Sequence, residues 1–301
     1  MKRIALAGAS LLAVVLLAFF VYRGTGVPVI AQLARACRTL PMSAGAGDIA
    51  IDNERGVAYL AYLDRKPNPE GKSPTGTVML VDLNAAEPRV RAALASDPPQ
   101  FRPIALSLYV SPQGARRLFV LDMAGSVHVF EQSPAGAFTF LKTLNDPLLA
   151  DPTGIVAVGP EQFYATSRFG IVHFDGQRAR TRGLKIGAGI AVSPDGRVIY
   201  VSEKNGRRVQ LLDRDHETGA LQPRQRIKLG SSADQLNTDA AGTVWIAAHS
   251  RVLALPRDGQ LAEVYRNDGS ALGEVTAVGA HANQVLIGSM SDPRLVLCQK
   301  E

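Results

Sequence analysis

The sequence predicts an all-β fold, a six-bladed β-propeller with four short strands in each blade. A strand–turn–strand unit recurs six times in the 301 residues. β-branched and aromatic residues crowd both arms of this unit, as they do in β-strands. The units repeat about every 36 to 57 residues, a spacing typical of one four-stranded sheet per blade. Long helical patterns are absent, which argues against a parallel α/β fold.

The propeller is expected to be preceded by an N-terminal hydrophobic helix. Lys2 and Arg3 precede an uncharged run, residues 4–22, which at about 1.5 Å per residue spans most of a bilayer core of roughly 30 Å. The two cations favour a cytoplasmic N-terminus. We therefore expect a signal anchor (1–23), a linker (24–36) and an exported propeller (37–301). Arg23 weakens the charge asymmetry, so a cleaved signal peptide is the alternative.

Two cysteines occur, Cys37 and Cys298, near the two ends of the predicted propeller. In an exported chain such a pair favours one disulfide that ties the ends together and closes the ring. The alternative is two unrelated buried thiols. No cysteine remains for nucleophilic chemistry if the disulfide forms.

The clearest repeat unit is GAGIAVSPDGRVIYVSE, residues 187–203. An apolar run (190–192) meets the turn Ser-Pro-Asp-Gly (193–196), and a second apolar run (198–202) follows. Proline presets φ at the first central turn position, and glycine accepts a positive φ. The unit therefore predicts two antiparallel strands joined by a tight turn.

All six units follow this pattern along the chain. Their predicted strand segments are 48–63 and 77–83; 105–123, 126–132 and 138–144; 154–167 and 170–176; 187–203, 208–215 and 224–229; 235–249, 251–259 and 262–267; and 275–290 and 294–298. The sixth unit ends after three strands, so a strand near 38–40 is expected to complete it. A polar, proline-rich insertion (64–75) predicts an exposed loop in the first blade.

The charge pattern and the histidines exclude several classes of function. The net charge of +6 contains no long basic block, and basic and aromatic residues do not interleave as in nucleic-acid-binding proteins. The histidines lack metal-ligand spacing, so zinc is not indicated. His128 and His173 alternate with apolar neighbours and are expected to be strand residues. No G-x-S-x-G motif is present.

Four segments resemble the paraoxonase/arylesterase family, which is related to gluconolactonase-like and strictosidine-synthase-like six-bladed propellers. They are residues 154–167 (GIVAVGPEQFYATS), 189–203, 243–249 (TVWIAAH) and 286–298. The resemblance extends from Cys37 over nearly the whole chain. It implies two calcium ions in the central tunnel, one structural and one that polarises the carbonyl of an ester or lactone.

The resemblance also implies site residues. The family's calcium-ligand positions fall on Gly47, Asp48, Thr153, Gly154, Ala188, Asp234 and Gln235. Asp48, Asp234, Gln235 and Thr153 are therefore the candidate metal ligands. Because calcium takes six to eight oxygen ligands, two carboxylates and two neutral donors are a depleted set.

The histidine positions differ as well. The two histidines of the family's proposed base pair fall on Ile104 and Met123, whereas His249 matches a family histidine and is the candidate catalytic residue. The resemblance thus implies an exported, membrane-anchored hydrolase of small carboxylic esters or lactones. The alternative is a non-catalytic propeller that binds a small molecule or a protein partner.

Overall fold

The computed structural model describes residues 37–66, 74–183, 187–203 and 205–300. In these ranges, 24 strands form six antiparallel four-stranded sheets, which confirms the predicted propeller. The predicted N-terminal helix, anchor and linker lie outside the described residues. None of the helical segments in the described ranges is long and apolar enough to cross a bilayer.

Five blades are built from consecutive strands. They contain β2 (Gly45–Asp52), β3 (Val57–Leu63), β4 (Gly76–Asp82) and β5 (Val90–Ala92); β6 (Pro103–Val110), β7 (Arg116–Asp122), β8 (Ser126–Gln132) and β9 (Phe138–Asn145); β10 (Gly154–Ala157), β11 (Phe163–Ser167), β12 (Gly170–Phe174) and β13 (Ala179–Thr181); β14 (Ile190–Val192), β15 (Val198–Glu203), β16 (Arg208–Arg214) and β17 (Leu221–Lys228); and β18 (Leu236–Thr238), β19 (Val244–Ala248), β20 (Arg251–Leu255) and β21 (Ala262–Arg266). One turn of 3-10 helix, Pro147–Leu149, precedes the third blade.

The sixth blade joins the two ends of the ring. It contains β22 (Ala277–His281), β23 (Gln284–Gly288) and β24 (Arg294–Gln299), with β1 (Cys37–Pro41) as its outermost strand. Cys37 lies directly opposite Cys298 in the β1–β24 ladder, and the two form a disulfide. The structure confirms both the disulfide and the completing N-terminal strand.

The first strand of each repeat lies innermost. The strands β2, β6, β10, β14, β18 and β22 contact one another in turn, and β22 contacts β2, so they enclose a central tunnel. Since each occupies the same place in its blade, all six begin at one end of the tunnel and finish at the other. Apolar side chains fill the space between blades. Between the first two blades, for example, the rings of Tyr59 and Phe138 meet edge to face at 5.3 Å.

Two outer strands escape prediction from the sequence. β5 and β13 have the sequences VRA and ART, and their residues are exposed or partly exposed. Each strand is only three residues long and none of its residues is buried, so its sequence shows no apolar alternation. Backbone pairing with β4 and β12 defines these strands instead.

Candidate functional site at the mouth of the tunnel

Two cavities occupy the tunnel. The mouth pocket, of about 290 Å³, lies where the six inner strands begin and is lined by Gly47, Arg65, Ile104, Met123, Pro152, Thr153, Ala188, Asp234, Gln235, Thr276 and Met290. The tunnel cavity, of about 450 Å³, is lined by the remaining length of β2, β6, β10, β14 and β18. Both are large enough to contain a small molecule.

Glycines allow neighbouring blades to approach each other at the mouth. A Cβ atom on Gly189 would clash with the backbone carbonyl of Asp234, and one on Gly45 would clash with the carbonyl of Met290. In both cases a residue at the start of one blade meets the backbone of a neighbouring blade. Only a residue without a side chain fits there.

Three of the four predicted metal ligands lie together on the mouth pocket: Thr153, Asp234 and Gln235. Gln235 Nε2 donates a hydrogen bond to the backbone carbonyl of Thr153 (2.8 Å). Thr153 Oγ1 donates to the carbonyl of Gly187 (3.1 Å). These bonds connect the starts of the third, fourth and fifth blades, so the two neutral side chains brace the mouth.

Asp48, the fourth predicted ligand, lies in the wall of the tunnel cavity. Its carboxylate accepts hydrogen bonds from the backbone N–H groups of Ile49 (2.8 Å) and Leu106 (3.0 Å). Burial raises the pKa of Asp48 to about 7, although the two hydrogen bonds lower it. The carboxyl group is therefore partly protonated at neutral pH, and it links β2 to β6.

His173 on β12 is also a buried titratable group, but its pKa is lowered rather than raised. Its ring stacks on Tyr164 with 4.5 Å between centroids, and Arg182 Nη2 lies 3.2 Å from its Nδ1. Burial, followed by the charges of Arg182 and Arg214, lowers the pKa of His173 to about 4. This histidine is neutral at pH 7 and belongs to the core of the blade.

We expect substitutions of Asp48 and His173 to shift the pH dependence of stability in opposite directions. Asp48 titrates at about 7 when folded and at 3.8 when unfolded, so its contribution to the unfolding free energy falls as the pH rises from about 4 to 7. His173 titrates at about 4 when folded against 6.5 when unfolded, so its contribution is lost as the pH falls from about 6.5 to 4.

Urea unfolding between about pH 4.5 and 6.5 checks this expectation. Relative to the wild type, Asp48→Asn should make stability rise more steeply with pH, and His173→Gln should make it rise less steeply. Each change in slope is at most about 1.4 kcal/mol per pH unit. Profiles of both variants that run parallel to the wild type would contradict the assignment.

The described residues do not fit a calcium ion bound as the resemblance implies. They contain no group of three or more His, Cys, Asp or Glu side chains that could hold a metal. Among the residues that the structure describes, Asp234 is the only acidic one in the lining of the mouth pocket, and a cation, Arg65, shares that lining. The apolar side chains of Ile104, Met123 and Ala188 complete much of the wall.

His249, the predicted catalytic residue, lies outside the lining of the mouth pocket. It follows β19 with a positive φ of 58°, and its side chain is 66% exposed. Its Nδ1 lies 3.8 Å from Glu274 Oε2. Glu274 also accepts a hydrogen bond from Ser291 Oγ (3.3 Å) and acts electrostatically on Arg65. The carboxylate of Glu274 thus interacts with both His249 and Arg65.

Arg65 is the residue of the site that the sequence pattern does not reveal. It belongs to the insertion that predicts an exposed loop, yet its guanidinium reaches the mouth pocket. Its Nη1 donates a hydrogen bond to the carbonyl of Met290 (3.1 Å) in the sixth blade. Burial lowers the pKa of Arg65, whereas Glu274 raises it. The one available signal is its position, two residues after β3.

Comparisons with known proteins agree with this architecture. Residues 69–174 match the arylesterase family, and residues 141–291, half of the chain, match the SMP-30/gluconolactonase/LRE-like region. Human serum paraoxonase/lactonase 3 is 25% identical, covering 83% of this chain and 84% of its own. Rat serum paraoxonase/arylesterase 1 is also 25% identical, with the same coverage of 83% and 84%.

Two solved structures share the fold. A gluconolactonase from Xanthomonas campestris superposes with a TM-score of 0.59 at 17% identity, over 91% of this chain and 95% of that one. The calcium-binding protein regucalcin from Agrobacterium tumefaciens gives 0.53 at 17% identity, over 90% and 94%. The chain therefore belongs to the SMP-30/gluconolactonase/LRE-like family and is a paraoxonase-like propeller, as the sequence resemblance indicates.

Proposed function

We propose that this lactone- and ester-hydrolase-like propeller hydrolyses small carboxylic esters or lactones at the mouth pocket. One observation carries the proposal: the residues equivalent to the family's site, Thr153, Asp234 and Gln235, converge on a pocket of about 290 Å³. The apolar walls formed by Ile104 and Met123 suit the hydrocarbon part of such a substrate. The two curated relatives described above bear lactonase and arylesterase names.

Asp234 supplies the chemistry that the pocket needs for a water attack. It is the carboxylate on the pocket wall, and a carboxylate can accept the proton of an attacking water. The water oxygen bonds to the carbonyl carbon, and the ester C–O bond breaks. The proton passes to the departing alkoxide, so the products are a carboxylic acid and an alcohol, or a hydroxy acid from a lactone.

Asp234→Asn is expected to lower kcat/KM on phenyl acetate and on a γ- or δ-lactone by about 100-fold, the size of effect typical of a general base. The purified full chain should be assayed with added calcium and with chelator. Asp258→Asn, in the exposed turn between β20 and β21, is the matched control and should retain activity. The proposal is contradicted if the wild-type protein shows no more turnover than Asp234→Asn, both with added calcium and with chelator.

The second candidate is a propeller that binds a small molecule without hydrolysing it. It is favoured by Ile104 and Met123, which line the pocket where the family's two histidines would lie. A rise in melting temperature on adding an ester or lactone, with no turnover of it, would support this reading. Turnover that depends on Asp234 would count against it.

Export and anchoring are part of the proposal. The Cys37–Cys298 disulfide supports an oxidising compartment, and the uncharged run at 4–22 supports an anchor. We expect the protein in the membrane fraction, with the propeller accessible to protease added on the extracytoplasmic side. Recovery in the soluble cytoplasmic fraction would contradict this; recovery as a shortened soluble exported form would indicate a cleaved signal peptide.

A further inference from the structure

We propose that Arg65 is the cation of the mouth pocket and that its guanidinium binds the carbonyl or carboxylate oxygen of the ligand. The ligand class is then an ester or lactone and the carboxylate formed from it. Only the identity of this ligand rests on the proposed function. The placement of the charge rests on contacts of Arg65 alone.

The guanidinium of Arg65 lies close to Gly47. A Cβ atom added to Gly47 would lie 3.3 Å from Arg65 Nη2 and 3.2 Å from the carbonyl oxygen of Ile104. Both distances are tighter than ordinary contacts, so a side chain at residue 47 would require the guanidinium to shift by a few tenths of an ångström. By resemblance, residue 47 is a glutamate position of the family. Glycine at this position has no carboxylate, and it leaves the space in which the guanidinium lies.

The guanidinium is held in place but keeps donors for a ligand. Its Nη1 donates to the carbonyl of Met290 (3.1 Å), which anchors the side chain across the seam between the first and sixth blades. A guanidinium has five N–H donors in a planar fork, and this hydrogen bond occupies one of them. Glu274 lies near enough to act on its charge, yet does not line the pocket.

This arrangement places a positive charge in the same pocket lining as the apolar side chains of Ile104 and Met123. Asp234, on the same pocket, provides the carboxylate. Charge-assisted hydrogen bonds strengthen when water is excluded, and a guanidinium matches the two oxygens of a carboxylate. During hydrolysis the same group would face the oxygen on which negative charge develops. Arg65 would thus stabilise the negative charge on the carbonyl oxygen, a role that the resemblance assigns to a calcium ion.

The inference predicts a calcium-independent carboxylate site that can be probed with benzoate. Calorimetric titration of the full chain in the presence of chelator should show benzoate binding. Arg65→Gln should weaken that binding at least tenfold, the loss expected for a charge-assisted hydrogen bond. Arg65→Lys should recover part of it. Lys66→Gln, at the exposed neighbouring position, is the matched control and should bind benzoate as the wild type does.

Kinetics provide a second readout. Arg65→Gln should lower kcat on phenyl acetate by about 100-fold, the size of effect typical of lost oxyanion stabilisation. Melting temperatures establish that the variants are folded. The inference is overturned if wild-type protein does not bind benzoate, if Arg65→Gln binds it unchanged, or if chelator abolishes binding. Arg65-dependent binding without turnover removes only the hydrolase proposal; turnover unaffected by Arg65→Gln removes only this inference.

Discussion

Replacing Cys37 and Cys298 with alanine is expected to lower the free energy of unfolding by about 5 kcal/mol. The bond links residues 261 positions apart and therefore restrains almost the whole unfolded propeller. In the chain-entropy account, the stabilisation grows with the logarithm of the loop length. The five-residue pairing of β1 with β24 remains in the variant, so a single cooperative transition should persist.

Urea unfolding under oxidising and reducing conditions checks this prediction. Reduced wild-type protein is the control, and it should unfold at nearly the same urea concentration as the double alanine variant. A loss below about 1 kcal/mol would contradict the expected effect of so long a loop. Alanine is preferred to serine because Cys298 is completely buried, and a hydroxyl there would add the cost of burying a polar group.

Arg116→Met is expected to destabilise the fold by about 3 to 5 kcal/mol. Arg116 Nε donates to Asp52 Oδ2 at 2.5 Å, and its Nη2 donates to Glu54 Oε2 at 2.8 Å. The side chains of Arg116 and Asp52 are 4% and 0% exposed. Methionine fills similar space but leaves the Asp52 carboxylate buried without its counter-charge, and this unpaired charge causes the loss.

A double-mutant cycle separates the charge effect from packing. Asp52→Asn together with Arg116→Met should recover a substantial part of the loss, because no buried charge then remains. Arg89→Met removes an ion pair with Glu87 whose two side chains are 82% and 78% exposed. That control should change stability by less than about 1 kcal/mol. Equal losses for Arg116→Met and the double variant would contradict the explanation.

The fold could be predicted from the sequence because each blade is local. A strand, a turn and a second strand lie within about 20 residues, so the alternation of apolar and polar residues and the turn residues between them predict the hairpin directly. Thr153, Asp234 and Gln235 are candidates by the family resemblance, and the same repeat geometry brings them to one end of the tunnel. Each immediately precedes or lies close to the start of an inner strand, and all inner strands begin at one end.

The sequence could not predict the side-chain contacts between different blades. Arg65 reaches Met290 across 225 positions, and Arg116 meets Asp52 across 64. Neither contact produces a periodic pattern in the sequence, and the composition of the Arg65 segment is that of an exposed loop. Asp48 is a candidate metal ligand by the resemblance alone, and only the structure shows that its oxygens accept two backbone hydrogen bonds.

The pairing of β1 with β24 imposes an order in time on the assembly of this protein. The five blades built from consecutive strands can form during synthesis, since each needs only the segment that has just left the ribosome. The sixth cannot, because β1 is made early and its partner is β24, at residues 294–299. Until that strand emerges, the facing sides of the first and last blades remain uncovered. The mouth pocket, which Arg65 and Met290 complete across this seam, therefore cannot be closed before β24 has been synthesised.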